Sequence, residues 1–164
     1  MLLHSGLMTI GLNFGPMLEP LAASRQVIAP ESQGHGHTAD TGRPMTIETL
    51  AGDVVALLDH QGIGQADLFG FSLSGLVACA VALGAPVRVG KLIVASADAH
   101  RPPGRESAPL GEDRLPTPAD FQAWRDACEA VAPDPRTSTS SLPRTRPWCT
   151  SSRGGPTYCD PCRR

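Results

Sequence analysis

The sequence predicts an α/β fold built around a parallel sheet, and three observations lead to this prediction. Short apolar segments alternate along the chain with longer segments whose apolar residues repeat at helical spacing. The segments between the predicted strands are long enough to hold the crossover helix that parallel neighbours require. An apolar fraction of 41% in 164 residues is enough for one domain with a core. We therefore expect a sheet of about four parallel strands with flanking helices.

The first predicted elements come in the order strand, helix, strand. The segment MLLH is a short apolar strand, and NFGPMLEPLAAS is a helix that starts near Pro16. The β-branched segment RQVIAPE predicts a second strand, which ends at Pro30. A polar loop rich in Gly and His, ESQGHGHTADTGRP, follows this strand.

The clearest helix in the chain opens at Thr46, a residue type that caps helices well. Its apolar residues repeat at helical spacing, and Gly62 or Gly64 ends it; these apolar residues are Ile47, Leu50, Val54, Leu57 and Leu58. The strand ADLFG, the helix SGLVACAVALG and the strand KLIVASA follow. One more amphipathic helix, TPADFQAWRDACEAVAP, is capped at Thr117.

Residues 136–164 differ in composition from the rest of the chain. They contain no Ala, Val, Ile, Met, Phe or Lys, and they show neither helical nor strand periodicity. We expect this tail to be disordered. One hypothesis is that this tail is translated out of frame. Codons that can encode it specify helix-forming residues when the reading frame is shifted by one base.

Composition and charge exclude several classes of protein. A net charge of −2 offers no basic surplus for nucleic acid. The longest apolar run, residues 76–83, is shorter than the roughly 20 residues that cross a bilayer. The N-terminus has no basic segment and no cleavage site typical of a signal peptide. We therefore expect a cytoplasmic protein with no nucleic-acid partner and no membrane contact.

The five cysteines also favour a reducing compartment. Their number is odd, and Cys79 and Cys128 fall in helical patterns where a thiol acts as a small buried hydrophobe. Cys159 and Cys162 form a CxxC pair, but one such pair without a second pair or a nearby His is a weak metal signal. His35 and His37 alternate as ligands can, yet no third ligand accompanies them. We predict no metal and no cofactor.

The segment DLFGFSLSGLVACAVALG holds the strongest functional signal. A strand breaks at Gly-Phe-Ser-Leu-Ser-Gly and turns at once into a helix, which is the context in which a hydrolase exposes a nucleophilic serine. The alternative is a turn whose serine only caps the helix. Ser74 suits the capping role better, and Ser72 suits the nucleophile.

In its order of motifs the chain resembles the α/β-hydrolase fold family, from Leu2 to about Pro135. The motifs are an HG-type loop at residues 4–6, a GHG loop at residues 34–36, and then strand, turn and helix. The chain looks most like the cofactor-free esterase and lactonase branch, which also contains carbon–carbon bond hydrolases and enol-lactone hydrolases. The resemblance implies a partial hydrolase domain at 1–135, with the start of a helical lid at about 116–132.

The same resemblance assigns the site residues. Ser72 is the nucleophile, and the backbone N–H groups of Gly6 and Leu73 form the oxyanion hole. Ser5 and Ser74 stand where the family usually has Gly, and the Gly6 donor is misaimed if Ser5 cannot adopt the backbone angles that the loop requires. His4 and His35 resemble the family's turn-stabilising histidines rather than its catalytic base.

In this family the acid and then the His of the triad follow the nucleophile along the chain. Asp98, directly after KLIVASA, is the candidate acid, but His100 is too close in sequence to fold back onto it. The chain therefore looks like a truncated or frameshifted serine hydrolase for small esters or lactones, with little or no activity. The alternative is a non-catalytic small-molecule-binding module. Missing flanking strands would leave open sheet edges and favour self-association.

Overall fold

The computed structural model describes residues 1–97 and 116–134, and the backbone of residues 149–150 and 156–157. The strands are β1 (Leu2–Leu3), β2 (Ala66–Phe71), β3 (Val89–Ala95), β4 (Cys149–Thr150) and β5 (Pro156–Thr157). The helices are α1 (Ile10–Ala22), α2 (Ile47–His60), α3 (Leu73–Gly84) and α4 (Pro118–Glu129). A 3₁₀ turn, Pro86–Arg88, connects α3 to β3.

The predicted parallel sheet is confirmed, with three strands instead of about four. Its order is β1–β2–β3, and Phe69 of β2 lies between Leu2 and Ile93 in the register. The predicted strand RQVIAPE is absent. Its Ile28 carbonyl accepts a 2.8 Å hydrogen bond from Leu2 N–H, but β1 is only two residues long and Pro30 has no N–H to extend the ladder.

Helix α1 begins at Ile10 and not near Pro16, so the predicted start is wrong by six residues. Thr9 caps it, with Oγ1 accepting from Leu12 N–H at 3.1 Å. The Glu31 carboxylate accepts from Ile10 N–H at 2.9 Å. These two acceptors satisfy N–H groups that the start of a helix otherwise leaves unpaired. Pro16 and Pro20 lie inside the helix.

Helix α2 begins and ends as the sequence predicts. Thr46 and Thr49 form a reciprocal capping box, with N–H to Oγ1 distances of 2.9 and 3.2 Å. Gly62, at φ 66°, ends the helix, and the following Ile63 N–H donates to Leu58 O at 2.9 Å. Glycine is favoured there because it adopts a positive φ without a steric penalty.

The core lies between the sheet and helices α2 and α3. Its buried members come from β1, β2, α2 and α3: Leu3, Leu50, Ala51, Val54, Leu68, Val77, Ala78 and Val81. On the opposite face of the sheet, Phe14 of α1 packs edge-on against Phe69, with ring centroids 5.2 Å apart. The sheet is therefore covered by helices on both faces, as the prediction of βαβ units requires.

The predicted last helix is present as α4, with Thr117 as its cap and Asp120 completing a capping box. Phe121 and Trp124 meet edge-on at 5.1 Å. Cys128 is buried, and its Sγ donates to Leu7 O at 3.7 Å. Helix α4 thus packs against the loop that follows β1.

In the predicted tail, β4 and β5 pair antiparallel, with Cys149 opposite Thr157. The sequence predicted no strand there, so this pairing is a correction. The other residues of the tail lie outside the described residues, and so do Asp98 and His100. Within the described part of the chain, no helix combines the length and apolar character needed to cross a bilayer.

Candidate active site

Ser72 occupies a sharp turn between β2 and α3. Its backbone has φ 53° and ψ −120°, a conformation that is strained for a residue with a side chain. Ser72 N–H donates to Ala95 O at the end of β3, at 2.8 Å, and Gly75 N–H donates back to Ser72 O at 2.9 Å. These bonds hold the turn in a geometry that presents the serine side chain at the carboxyl end of the sheet.

Gly70 and Gly75 allow this turn to be tight. A Cβ on Gly70 would lie 2.6 Å from the carbonyl carbon of Ser74 and 2.8 Å from the Cα of Gly75. A Cβ on Gly75 would lie 2.6 Å from the Cβ of Ala97. Real Cβ atoms do not approach other atoms this closely, so both positions require glycine. The turn between β2 and α3 therefore depends on both glycines.

The prediction that Ser74 caps helix α3 is wrong. Ser74 lies inside the first turn of the helix, is buried, and donates through Oγ to the carbonyl oxygen of His4. The N-cap position belongs to Ser72, whose side chain makes no capping hydrogen bond. Ser74 thus fastens the loop after β1 to the turn at Ser72, and the Ser72 hydroxyl is not used as a helix cap.

Hydrogen bonds to its backbone groups hold the loop after β1, residues 4–9, in place. Ser5 N–H donates to Asn13 Oδ1 at 2.6 Å, and His4 and Ser5 carbonyl oxygens both accept hydrogen bonds. Ser5 is not in the left-handed region, and the positive φ of this loop, 65°, falls at Leu7. The left-handed backbone of this loop therefore lies at Leu7 and not at Ser5.

His4 and His35 are buried side by side, with ring centroids 5.1 Å apart. Ser32 N–H donates to His4 Nε2 at 3.0 Å, so the proton of the neutral ring is on Nδ1, which donates to Ser5 O at 2.7 Å. His35 Nδ1 bonds Gln33 O at 3.0 Å. Burial lowers the pKa of His4, and burial together with His4 lowers the pKa of His35 to about 4.

Glu31 connects the first residue of α1, Ile10, to His37, which follows the GHG loop, and the sequence did not predict this role. One carboxylate oxygen accepts from Ile10 N–H, and the other accepts from His37 N–H at 2.7 Å and lies 2.9 Å from His37 Nδ1. Burial favours a higher pKa for this carboxyl, but the bonds from His37 and Ile10 outweigh it and lower the pKa. Its signal in the sequence is an acidic residue at the start of a Gly- and His-rich loop.

Ser72, Gly6 and Leu73 meet at one cavity of about 570 Å³. The lining is mainly apolar and comes from the loop after β1, the start of α2, the turn at Ser72 and α4. It includes Leu7, Met8, Met45, Leu50, Phe121 and Trp124. Ser5 and Ser96 also line it. The structure therefore brings together three of the four predicted site residues, while Asp98 lies outside the described residues.

No histidine of the described residues lines this cavity. His4, His35 and His37 make the contacts given above, and His60 lies at the end of α2. The described residues also contain no group of three His, Cys, Asp or Glu side chains that could hold a metal ion. The cavity thus combines Ser72 with a mainly apolar lining whose other polar residues are Ser5, Thr46, Glu48 and Ser96.

The chain is similar in sequence to a known protein family and to individual known proteins. A family model described as alpha/beta hydrolase fold matches residues 1–143. 3-oxoadipate enol-lactonase 2 of Acinetobacter baylyi is 32% identical over 124 residues, which are 76% of this chain and 40% of the lactonase. A dihydrolipoyllysine-residue acetyltransferase component of the acetoin cleaving system from Pseudomonas putida is 45% identical over 78 residues, 47% of this chain and 21% of that protein.

A solved structure shares the same architecture. A hydrolase from Pseudomonas aeruginosa PA01 superposes with a TM-score of 0.57 at 27% identity, over 77% of this chain and 42% of that one. The chain thus spans less than half the length of each of these three proteins.

Proposed function

The chain belongs to the α/β-hydrolase fold family, and we propose that it is a serine hydrolase that forms an acyl-enzyme on Ser72 with a small ester or lactone. The observation that carries the proposal is the position of Ser72, on a strained turn with a hydroxyl that caps no helix, in an apolar cavity beside Gly6 and Leu73. The similarity to an enol-lactonase supports a lactone or ester as the substrate class.

In the proposed reaction, Ser72 Oγ attacks the carbonyl carbon of the substrate. A new C–O bond forms while the carbonyl π electrons move onto oxygen, and the N–H groups of Gly6 and Leu73 donate to that oxyanion. The serine proton passes to a base and then to the leaving oxygen as its bond to the carbonyl carbon breaks. Water repeats the sequence on the acyl-enzyme and releases the acid.

The scheme needs a base beside Ser72. No described histidine lines the cavity, and the proposed acid, Asp98, remains a prediction from sequence. In the well-studied triads, loss of any member leaves only about 10³- to 10⁴-fold catalysis over water, supplied by the oxyanion hole and binding. We therefore propose that this chain turns its substrates over very slowly.

The second candidate is a small-molecule-binding module without catalysis. The same lack of a described histidine in the cavity favours it, because an apolar cavity can bind an ester without attacking it. The two candidates differ in the reactivity of Ser72, and a covalent probe therefore separates them.

A fluorophosphonate probe tests the proposal. We expect slow labelling that disappears in Ser72→Ala and persists in Ser24→Ala, an exposed serine just after α1. Hydrolysis of p-nitrophenyl acetate should be slow, and Ser72→Ala should lower it to the uncatalysed rate. Equal labelling of the wild type and Ser72→Ala would leave only the binding module. A burst of acylation that Ser72→Ala abolishes would contradict slow turnover, because a histidine would then have to reach the site.

A further inference from the structure

Among the described residues that line the cavity at Ser72, one carries a charge, and it is acidic. Glu48, in the first turn of α2, lines the cavity together with apolar and uncharged polar residues, and no described Lys, Arg or His does so. The nearest basic residue along the chain, Arg43, pairs with Asp53 at nitrogen-to-oxygen distances of 2.9 to 3.1 Å. The described lining therefore holds a negative charge with no positive charge to balance it.

Glu48 is ionised at neutral pH and accessible to a ligand. Hydrogen bonds from its own N–H and from the Thr46 side chain lower the pKa of its carboxyl. The positive end of the α2 dipole favours the same ionised form. Thr46 also lines the cavity, so the contact with Thr46 keeps the carboxylate beside the lining. Glu48 is exposed and forms no ion pair among the described residues.

Two aromatic side chains of α4 favour a ligand of positive charge. Phe121 and Trp124 line the same cavity and meet edge-on, with ring centroids 5.1 Å apart. Phe121 is 47% exposed, so a large part of its ring is open to a ligand. The face of an aromatic ring carries partial negative charge, which attracts an ammonium group and repels a carboxylate. The carboxylate of Glu48 and the aromatic rings thus favour the same sign of ligand charge.

We propose that the cavity selects esters or lactones that carry an ammonium group, and that Glu48 distinguishes them from those that carry a carboxylate. This inference rests on the proposed function and adds the charge of its substrate class. Water and salt screen an exposed carboxylate. The expected effect is therefore about 2- to 5-fold in affinity for each unit of ligand charge.

Three ethyl esters of similar length and different charge test the inference. They are ethyl 4-(trimethylammonio)butanoate, its uncharged isostere ethyl 5,5-dimethylhexanoate, and monoethyl glutarate, which is an anion. Each competes with an uncharged fluorophosphonate for Ser72 at constant ionic strength, and the measured quantity is the ester concentration that halves the labelling rate. We expect this concentration to be lowest for the ammonium ester and highest for the anion. The differences should shrink at high salt.

Variants of Glu48 assign the preference to this residue. Glu48→Gln should reduce the difference between the ammonium ester and its uncharged isostere, and Glu48→Lys should reverse the order of the two charged esters. Glu19→Gln is the matched control, because Glu19 is exposed on α1 and does not line the cavity. It should keep the wild-type order, and the thermal unfolding curve of each variant shows whether it is folded.

Two results would overturn the preference for an ammonium group and leave the proposed function intact, because Ser72 would still be labelled. The first is equal protection by the three esters, or protection by none of them. The second is a difference between the charged esters that Glu48→Gln and Glu48→Lys leave undiminished. Labelling that Ser72→Ala does not remove would overturn the proposed function and this inference with it.

Discussion

Two serines that replace glycines of the family pattern have different surroundings in the structure. Ser74 is fully engaged, because its hydroxyl donates to the His4 carbonyl across 70 residues of sequence. Ser5 is the opposite case, since its hydroxyl has no partner among the described residues. Sequence alone treats both as disturbances of the oxyanion hole, because it identifies a small polar side chain but not the long-range partner that decides its role.

The Ser74 bond is testable as a stabilising contact. Ser74→Ala removes the donor and leaves the buried His4 carbonyl without it, so we expect the free energy of unfolding to fall by about 1–3 kcal/mol. Urea unfolding measures this quantity, and Ser24→Ala provides the matched change at an exposed site. Equal unfolding midpoints for wild type and Ser74→Ala would mean that the bond does not hold the loop to the turn.

At the scale of elements, the sequence predicted the ends of a helix correctly where the residues that cap it are close in sequence. Thr46 and Gly62 mark the ends of α2 by capping chemistry that neighbouring residues supply. The start of α1 was missed because one of its acceptors, Glu31, is 21 residues away. The strand RQVIAPE was predicted from its β-branched residues, but ladder formation depends on the length of β1, which the segment itself does not encode.

The GHG loop predicts a pH dependence of stability. Burial first and His4 second lower the pKa of His35 to about 4 in the folded protein, compared with about 6.5 in an unfolded chain. Glu31 and Asp40 also face this ring and act in the opposite direction. The unfolded state therefore binds more protons between these two pH values, and stability is lost as the pH falls from about 6.5 towards 4.

The loss attributable to His35 can reach the order of 3 kcal/mol across that range. His35→Gln carries no titrating ring, so its free energy of unfolding should depend less steeply on pH than that of the wild type. Urea unfolding in a series of buffers measures both slopes, and His60→Gln at the end of α2 is the control. A slope that His35→Gln leaves unchanged would show that another group controls the acid response.

At the scale of the whole molecule, the sheet is the least complete part of the described fold. Strand β3 pairs with β2 and, among the described residues, has no strand on its other side. Leu92 and Val94 are both 39% exposed and Ile93 is 55% exposed, so apolar side chains are open on both faces of β3. The alternation of strands and helices along the chain predicted a parallel sheet. It did not predict how many of the predicted strands would pair in that sheet.

An exposed apolar edge strand favours pairing with a second copy of the chain. We expect the protein to associate reversibly as its concentration rises, through the edge and side chains of β3. Ile93→Lys places a charge on this edge and should shift the population towards monomer in sedimentation velocity experiments. Val87→Lys is the control, because Val87 is 76% exposed but lies in the 3₁₀ turn before β3. A wild type that stays monomeric at all concentrations in low salt, with one cooperative melt, would contradict association at this edge.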